Sequence, residues 1–83
     1  MSAVKVYGAD WCAMTTRTRE HLRSVGVEYD YIDIEKDREA REWVKEQNGG
    51  KEKKPTVRIH DQVLAEPSNG ELDRELAAAG LRS

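Results

Sequence analysis

Apolar positions along the chain change their period several times, and each change marks an element. Val4-Lys5-Val6-Tyr7 alternates, with Val4 and Val6 on one face, and reads as a short strand ended by Gly8. Ala9 to Cys12 is a connection. From about Ala13 to Val25 the period becomes helical. Met14, Thr18, Leu22 and Val25 recur at spacings of four, four and three and form the expected inner stripe, while Arg17, Arg19, Glu20 and Arg23 face outward. Gly26 follows, where a left-handed helix end favours glycine. Val27 to Ile34 returns to a strand, rich in Tyr29, Tyr31, Ile32 and Ile34. Its interspersed Glu28, Asp30 and Asp33 suit a sheet edge, where charge discourages pairing with another chain.

A second helix is predicted from about Asp37 to Gln47, with Ala40, Trp43, Val44 and Gln47 inward and Asn48-Gly49-Gly50 as its stop. Lys51 to Lys54 is a charged loop ending at Pro55. Thr56 to Ile59 and Gln62 to Ala65 form a hairpin around His60-Asp61. After Pro67, Ser68 and Glu71 stand three apart as a capping box opening the last helix. Leu72, Leu76 and Ala79 point inward there, and Gly80 ends it. The order is β-α-β-α-β-β-α. A helical crossover makes the first two strands parallel, and the hairpin makes the last two antiparallel. The predicted architecture is an α/β fold, a four-stranded mixed sheet with three helices spread over both faces. No repeat or linker interrupts it, so residues 1–83 are expected to form a single domain.

Composition narrows the function classes. Charged residues are 36% of the chain, yet the net charge is only −2, without the basic excess that nucleic acid or an anionic membrane would demand. Leu, Ile and Val are sparse and Phe is absent, which alone would suggest disorder. Disorder also needs a high net charge, and the clear periodicity decides for a folded chain. No apolar run is long enough to span a bilayer, and Met1 to Lys5 lacks a secretory pattern. The single cysteine, Cys12, has no intramolecular disulfide partner, so a cytoplasmic protein is expected. Cys12, His21 and His60 show no paired spacing for a metal, and neither histidine has a recognisable partner.

Cys12 sits between the end of a strand and the start of a helix. The first amides of a helix lack intrahelical partners and the dipole is positive there, so a thiolate is stabilised and its pKa falls below the free value of about 8.5. Such a thiolate is the nucleophile of thiol–disulfide exchange. The alternative is an inert, small buried side chain.

The order of elements, combined with particular residues, resembles the glutaredoxin family of the thioredoxin-like fold. The matching pieces are Trp11-Cys12-Ala13-Met14-Thr15, Pro55-Thr56-Val57 and the turn into the last helix. Tyr31-Ile32-Asp33-Ile34-Glu35, Asn48-Gly49-Gly50 and Glu66-Pro67-Ser68 are similar to the short mycoredoxin-like branch. The resemblance spans about Ala3 to Leu81.

It implies that Cys12 is the attacking cysteine of a W-C-x-x-C motif whose second cysteine is Thr15 here. A dithiol cycle is then impossible and a monothiol cycle remains, with a low-molecular-weight thiol, glutathione or mycothiol, as cosubstrate and no tightly bound cofactor. Thr15 either donates its hydroxyl to the Cys12 thiolate or simply fills the vacated space. Pro55 matches the family's cis-proline beside the cysteine. The backbone of Lys54 would pair with the bound thiol, and its ammonium would favour the thiolate; otherwise Lys54 is one more solvated charge.

Asp10, two residues before Cys12, would oppose ionisation if close. Neither Ala9 nor Asp10 offers the basic residue that helps hold glutathione's carboxylate in many relatives. Ser68 and Asn69 match the region holding the thiol's polar end, or serve only as a cap. Trp11 shapes the substrate groove or closes the loop.

The resemblance thus implies a monothiol disulfide oxidoreductase, a monomer, reducing mixed disulfides between proteins and a small thiol. Two alternatives stand below it. One is a carrier of a shared 2Fe–2S cluster, as in relatives with C-G-F-S where this chain has Cys12-Ala13-Met14-Thr15. The other is a redox-inactive binding module.

Overall fold

The computed structural model describes residues 2–82. Val4–Gly8 (β1) lies in the middle of a four-stranded sheet. It pairs in parallel with Asp30–Asp33 (β2) and antiparallel with Thr56–Ile59 (β3), and β3 pairs antiparallel with Gln62–Ala65 (β4). The order β2-β1-β3-β4 puts the charged β2 at an edge, as its composition predicted. Val6 stands opposite Tyr31 on one side and Val57 on the other.

The alternation of β1 feeds two unequal cores. Val4, Val6, Val57 and Ile59 pack with Leu22 of Ala13–Ser24 (α1) and with Leu72 and Leu76 of Asn69–Ala78 (α3). On the other face Tyr7, Ile34 and Val44 pack under Arg38–Gln47 (α2), flanked by Ile32, Ala40 and Trp43. The Tyr7 and Trp43 rings lie 4.6 Å apart between centroids, tilted by 32°. Burying each such Val, Leu or Ile contributes about 1.5–3 kcal/mol. Among the described residues no helix is long and apolar enough to cross a membrane.

Several expectations need correction. In α1 the inner stripe is Thr15, Thr18 and Leu22, while Met14 is 41% exposed. Two successive steps of four drift by roughly 80° at about 100° per residue, whereas steps of three and four return to one face. The second strand begins at Asp30, not Val27. The Val27 amide donates to Leu22 O at 3.0 Å and the Gly26 amide to Arg23 O at 3.1 Å, so this backbone is committed to closing α1. Gly26, at φ 73°, makes that closure possible. Gln47 is exposed, because α2 stops there and Asn48 takes over. The Asn48 side-chain amide donates to Val44 O at 2.8 Å and to Thr56 Oγ1 at 3.2 Å.

His21 does have a partner. Its Nε2 lies 2.7 Å from Asp73 Oδ1, joining α1 to α3 across 52 positions of sequence, and Arg82 reaches the same oxygen. The hydrogen bond from His21, with the hydrogen bond and charge of Arg82, holds the Asp73 carboxyl below the usual carboxylate range. A carboxyl depressed in the folded state stabilises above its unfolded pKa and loses that contribution as pH falls through the folded value. Thermal melts should therefore show Asp73→Asn melting below the parent at neutral pH. The gap should close in acid, below the ordinary carboxylate range.

Candidate functional site

The site is built where β1 hands over to α1. Gly8 and Ala9 are buried at the end of the strand. The Cys12 amide donates to Ala9 O at 3.1 Å, closing a turn that turns Asp10 and Trp11 outward; Trp11 is 69% exposed. Cys12 is the N-cap of α1, with extended backbone at φ −81° and ψ 118°. Its carbonyl accepts the first helical bond, from the Thr16 amide at 3.1 Å. The thiol is half-buried and free, and it stands where an N-cap hydroxyl or carboxylate usually accepts from the next amides.

Four groups act on the sulfur. Burial pushes the Cys12 thiol up, but the Thr15 hydroxyl, the Thr15 and Met14 amides and the Lys54 charge together outweigh it and leave the pKa below the ordinary thiol value. Across the site, Cys12 Sγ lies 3.9 Å from Lys54 O, and the Lys54–Pro55 peptide is cis. Pro55 is buried. Lys54 is not a freely solvated charge: its Nζ lies 5.4 Å from the centre of the Trp11 ring and 3.9 Å from the Glu52 carboxylate. Lysine, indole and thiol therefore share one neighbourhood.

Thr15 is fully buried, and its Oγ1 accepts from the Ala9 amide at 3.5 Å. A Cβ on Gly8 would fall 2.4 Å from Thr15 Oγ1 and 2.5 Å from its Cγ2. Thr15 thus fills the space over Gly8, and its hydroxyl is also one of the groups acting on the sulfur.

Asp10 is engaged with other partners. Its carboxylate accepts from the Tyr31 hydroxyl at 2.8 Å and lies 3.8 Å from Lys36 Nζ. Neither partner was visible in the sequence. The parallel register that sets Tyr31 beside Val6 is the signal that would have found the first.

Ser68 forms the predicted capping box. Its Oγ accepts from the Glu71 amide at 3.1 Å while Glu71 Oε1 accepts from the Ser68 amide at 3.2 Å. Asn69 opens α3, exposed. Both line a cleft of about 300 Å³ with Met14 and Arg17 of α1 and with Pro67. Among the described residues no group of three or more His, Cys, Asp or Glu side chains could hold a metal ion.

Comparison with known proteins places this geometry. The glutaredoxin family model matches residues 4–64. Mycoredoxin 1 of Corynebacterium glutamicum is 46% identical over 65 residues, 78% of this chain and 80% of that one. Among solved structures, a mutant of the thioredoxin-like protein BC3987 superposes with a TM-score of 0.83 at 27% identity, covering 93% of this chain and 97% of that one. A glutaredoxin of Archaeoglobus fulgidus gives 0.73 at 26% identity, covering 89% and 85%.

Two measurements probe the site. The rate of Cys12 alkylation by iodoacetamide should rise with pH through a midpoint below that of a free thiol; a midpoint at or above it would contradict the balance described here. Gly8→Ala should cost about 1–3 kcal/mol by overpacking against Thr15, read as a lowered melting temperature.

Proposed function

The chain belongs to the glutaredoxin family, and from that membership we propose that it is a monothiol thiol–disulfide oxidoreductase acting through Cys12. The fold and family are those of thiol–disulfide oxidoreductases, and the chain has one cysteine. The observation that carries the monothiol reading is the half-buried Cys12 sulfur at the opening of α1, held toward its thiolate by Thr15, Met14 and Lys54.

In the first step the Cys12 thiolate attacks the small-thiol sulfur of a protein mixed disulfide. A bond forms between Cys12 Sγ and that sulfur, the old S–S bond breaks, and the protein thiolate leaves and takes a proton from water. In the second step the thiolate of a second small-thiol molecule attacks the same small-thiol sulfur. Cys12 leaves as thiolate, and the small thiol departs as its own disulfide. Electrons balance with no internal second cysteine. Glutathione and mycothiol are the two proposed cosubstrates, and the likeness to a mycoredoxin favours mycothiol.

The remaining residues act on geometry. Lys54 would present its backbone carbonyl, and Trp11 its exposed ring, to the bound thiol beside Pro55. Ser68 and Asn69 would border its polar end across the cleft, through backbone groups at the start of α3, since the Ser68 hydroxyl is occupied.

Mass spectrometry tests this directly. After exposure to the disulfide form of mycothiol or of glutathione, one small-thiol adduct should appear on Cys12 and be removed by the matching free thiol. Cys12→Ser should carry none, and a parent that forms an adduct with neither would end the proposal. Thr15→Val should slow adduct formation at neutral pH by roughly tenfold, the worth of one hydrogen bond to a charged group. Thr15→Ser should restore it.

A further inference from the structure

Asp10 is the acidic member of the turn that delivers Cys12. Its carboxylate is 62% exposed, yet it is not free to swing. The Tyr31 hydroxyl donates to one oxygen at 2.8 Å, and Lys36 Nζ lies 3.8 Å from the other. Burial, then the hydrogen bond and charge of Asp10, push the Tyr31 phenol up, so it remains a donor throughout the neutral range. Arg19 lies 3.8 Å over the Tyr31 ring and holds it in place. Lys36 is 79% exposed, so its cover of the carboxylate is solvated and partial.

A fixed, solvent-facing negative charge therefore stands two residues from the nucleophile. Lys54 supplies the opposite charge beside Trp11.

We propose that Asp10 is a specificity-determining residue, which disfavours reaction partners of Cys12 that bring negative charge close to the reacting sulfur and favours neutral or cationic ones. The inference rests on Cys12 being the exchange nucleophile. It deepens that reading by naming the class of small thiol the site admits: one without an anionic group beside its sulfur.

A pair of reagents of nearly the same shape isolates the effect. Iodoacetamide is neutral and iodoacetate is an anion. With each, Cys12 sulfur forms a bond to carbon and iodide leaves. The ratio of the two rates, divided by the same ratio for 2-mercaptoethanol, removes the intrinsic difference between reagents. Asp10→Asn should shift this ratio toward iodoacetate by roughly two- to threefold at low ionic strength, the scale of one unit charge acting through a water-like medium over several ångströms. Lys36→Gln should shift it the other way, by uncovering the carboxylate. Both shifts should collapse in 1 M salt, where the screening length is about 3 Å.

An unchanged ratio in Asp10→Asn, or a shift that persists in 1 M salt, would overturn the proposal. A Cys12 that reacts with both reagents more slowly than a free thiol would instead overturn the redox reading, and the ratio would still report on Asp10.

Discussion

The contact of Thr15 with the bare backbone of Gly8 fixes where α1 begins. No side chain on β1 separates helix from strand there, so the first turn of α1 lies directly on the end of the sheet. That approach brings Thr15 Oγ1 to the Ala9 amide, closes the turn at Cys12 and aims the opening amides of the helix at one sulfur. Pro55 and Lys54 enter from the head of β3, the neighbour of β1 in the sheet, and complete the same corner. Each component is ordinary physical chemistry: unpaired amides, a buried hydroxyl, one cation. Their convergence on a half-buried thiol is what distinguishes this corner from the rest of the surface.

Much of this was legible from the chain. Alternation in Val4 to Tyr7, the helical periods around Leu22, Val44, Leu72 and Leu76, the strand runs ending at Ile34, Ile59 and Ala65, and the Ser68–Glu71 box predict all seven elements in order, though β2 starts at Asp30 rather than Val27, and the crossover rule predicts the parallel pair. What failed was local phase. Steps of four predict Met14 inward, but a helix needs mixed steps of three and four to hold one face, and Thr15 takes the buried place. A polar residue is easily passed over as core when only apolar positions are tracked.

Contacts spanning long sequence separations were out of reach for a different reason. His21 with Asp73, and Tyr31 with Asp10, depend on how α1 packs against α3 and how far β2 slides along β1. Nothing local encodes those offsets. Lys54 shows the same limit. Its place in a run of charged residues suggested solvent, and only the fold turns its side chain back over Trp11.

The two faces of the sheet are unequally supported. Two helices and seven fully buried side chains hold one, while α2 covers the other through three. Local opening follows the smaller burial, so the α2 layer opens more easily than the layer of α1 and α3. The same segment runs on through the charged loop to Lys54 and Pro55, so its breathing would loosen one wall of the Cys12 corner while α1 stayed docked. Amide exchange across the chain would then fall into two tiers, fast under Trp43 and slow under Leu22.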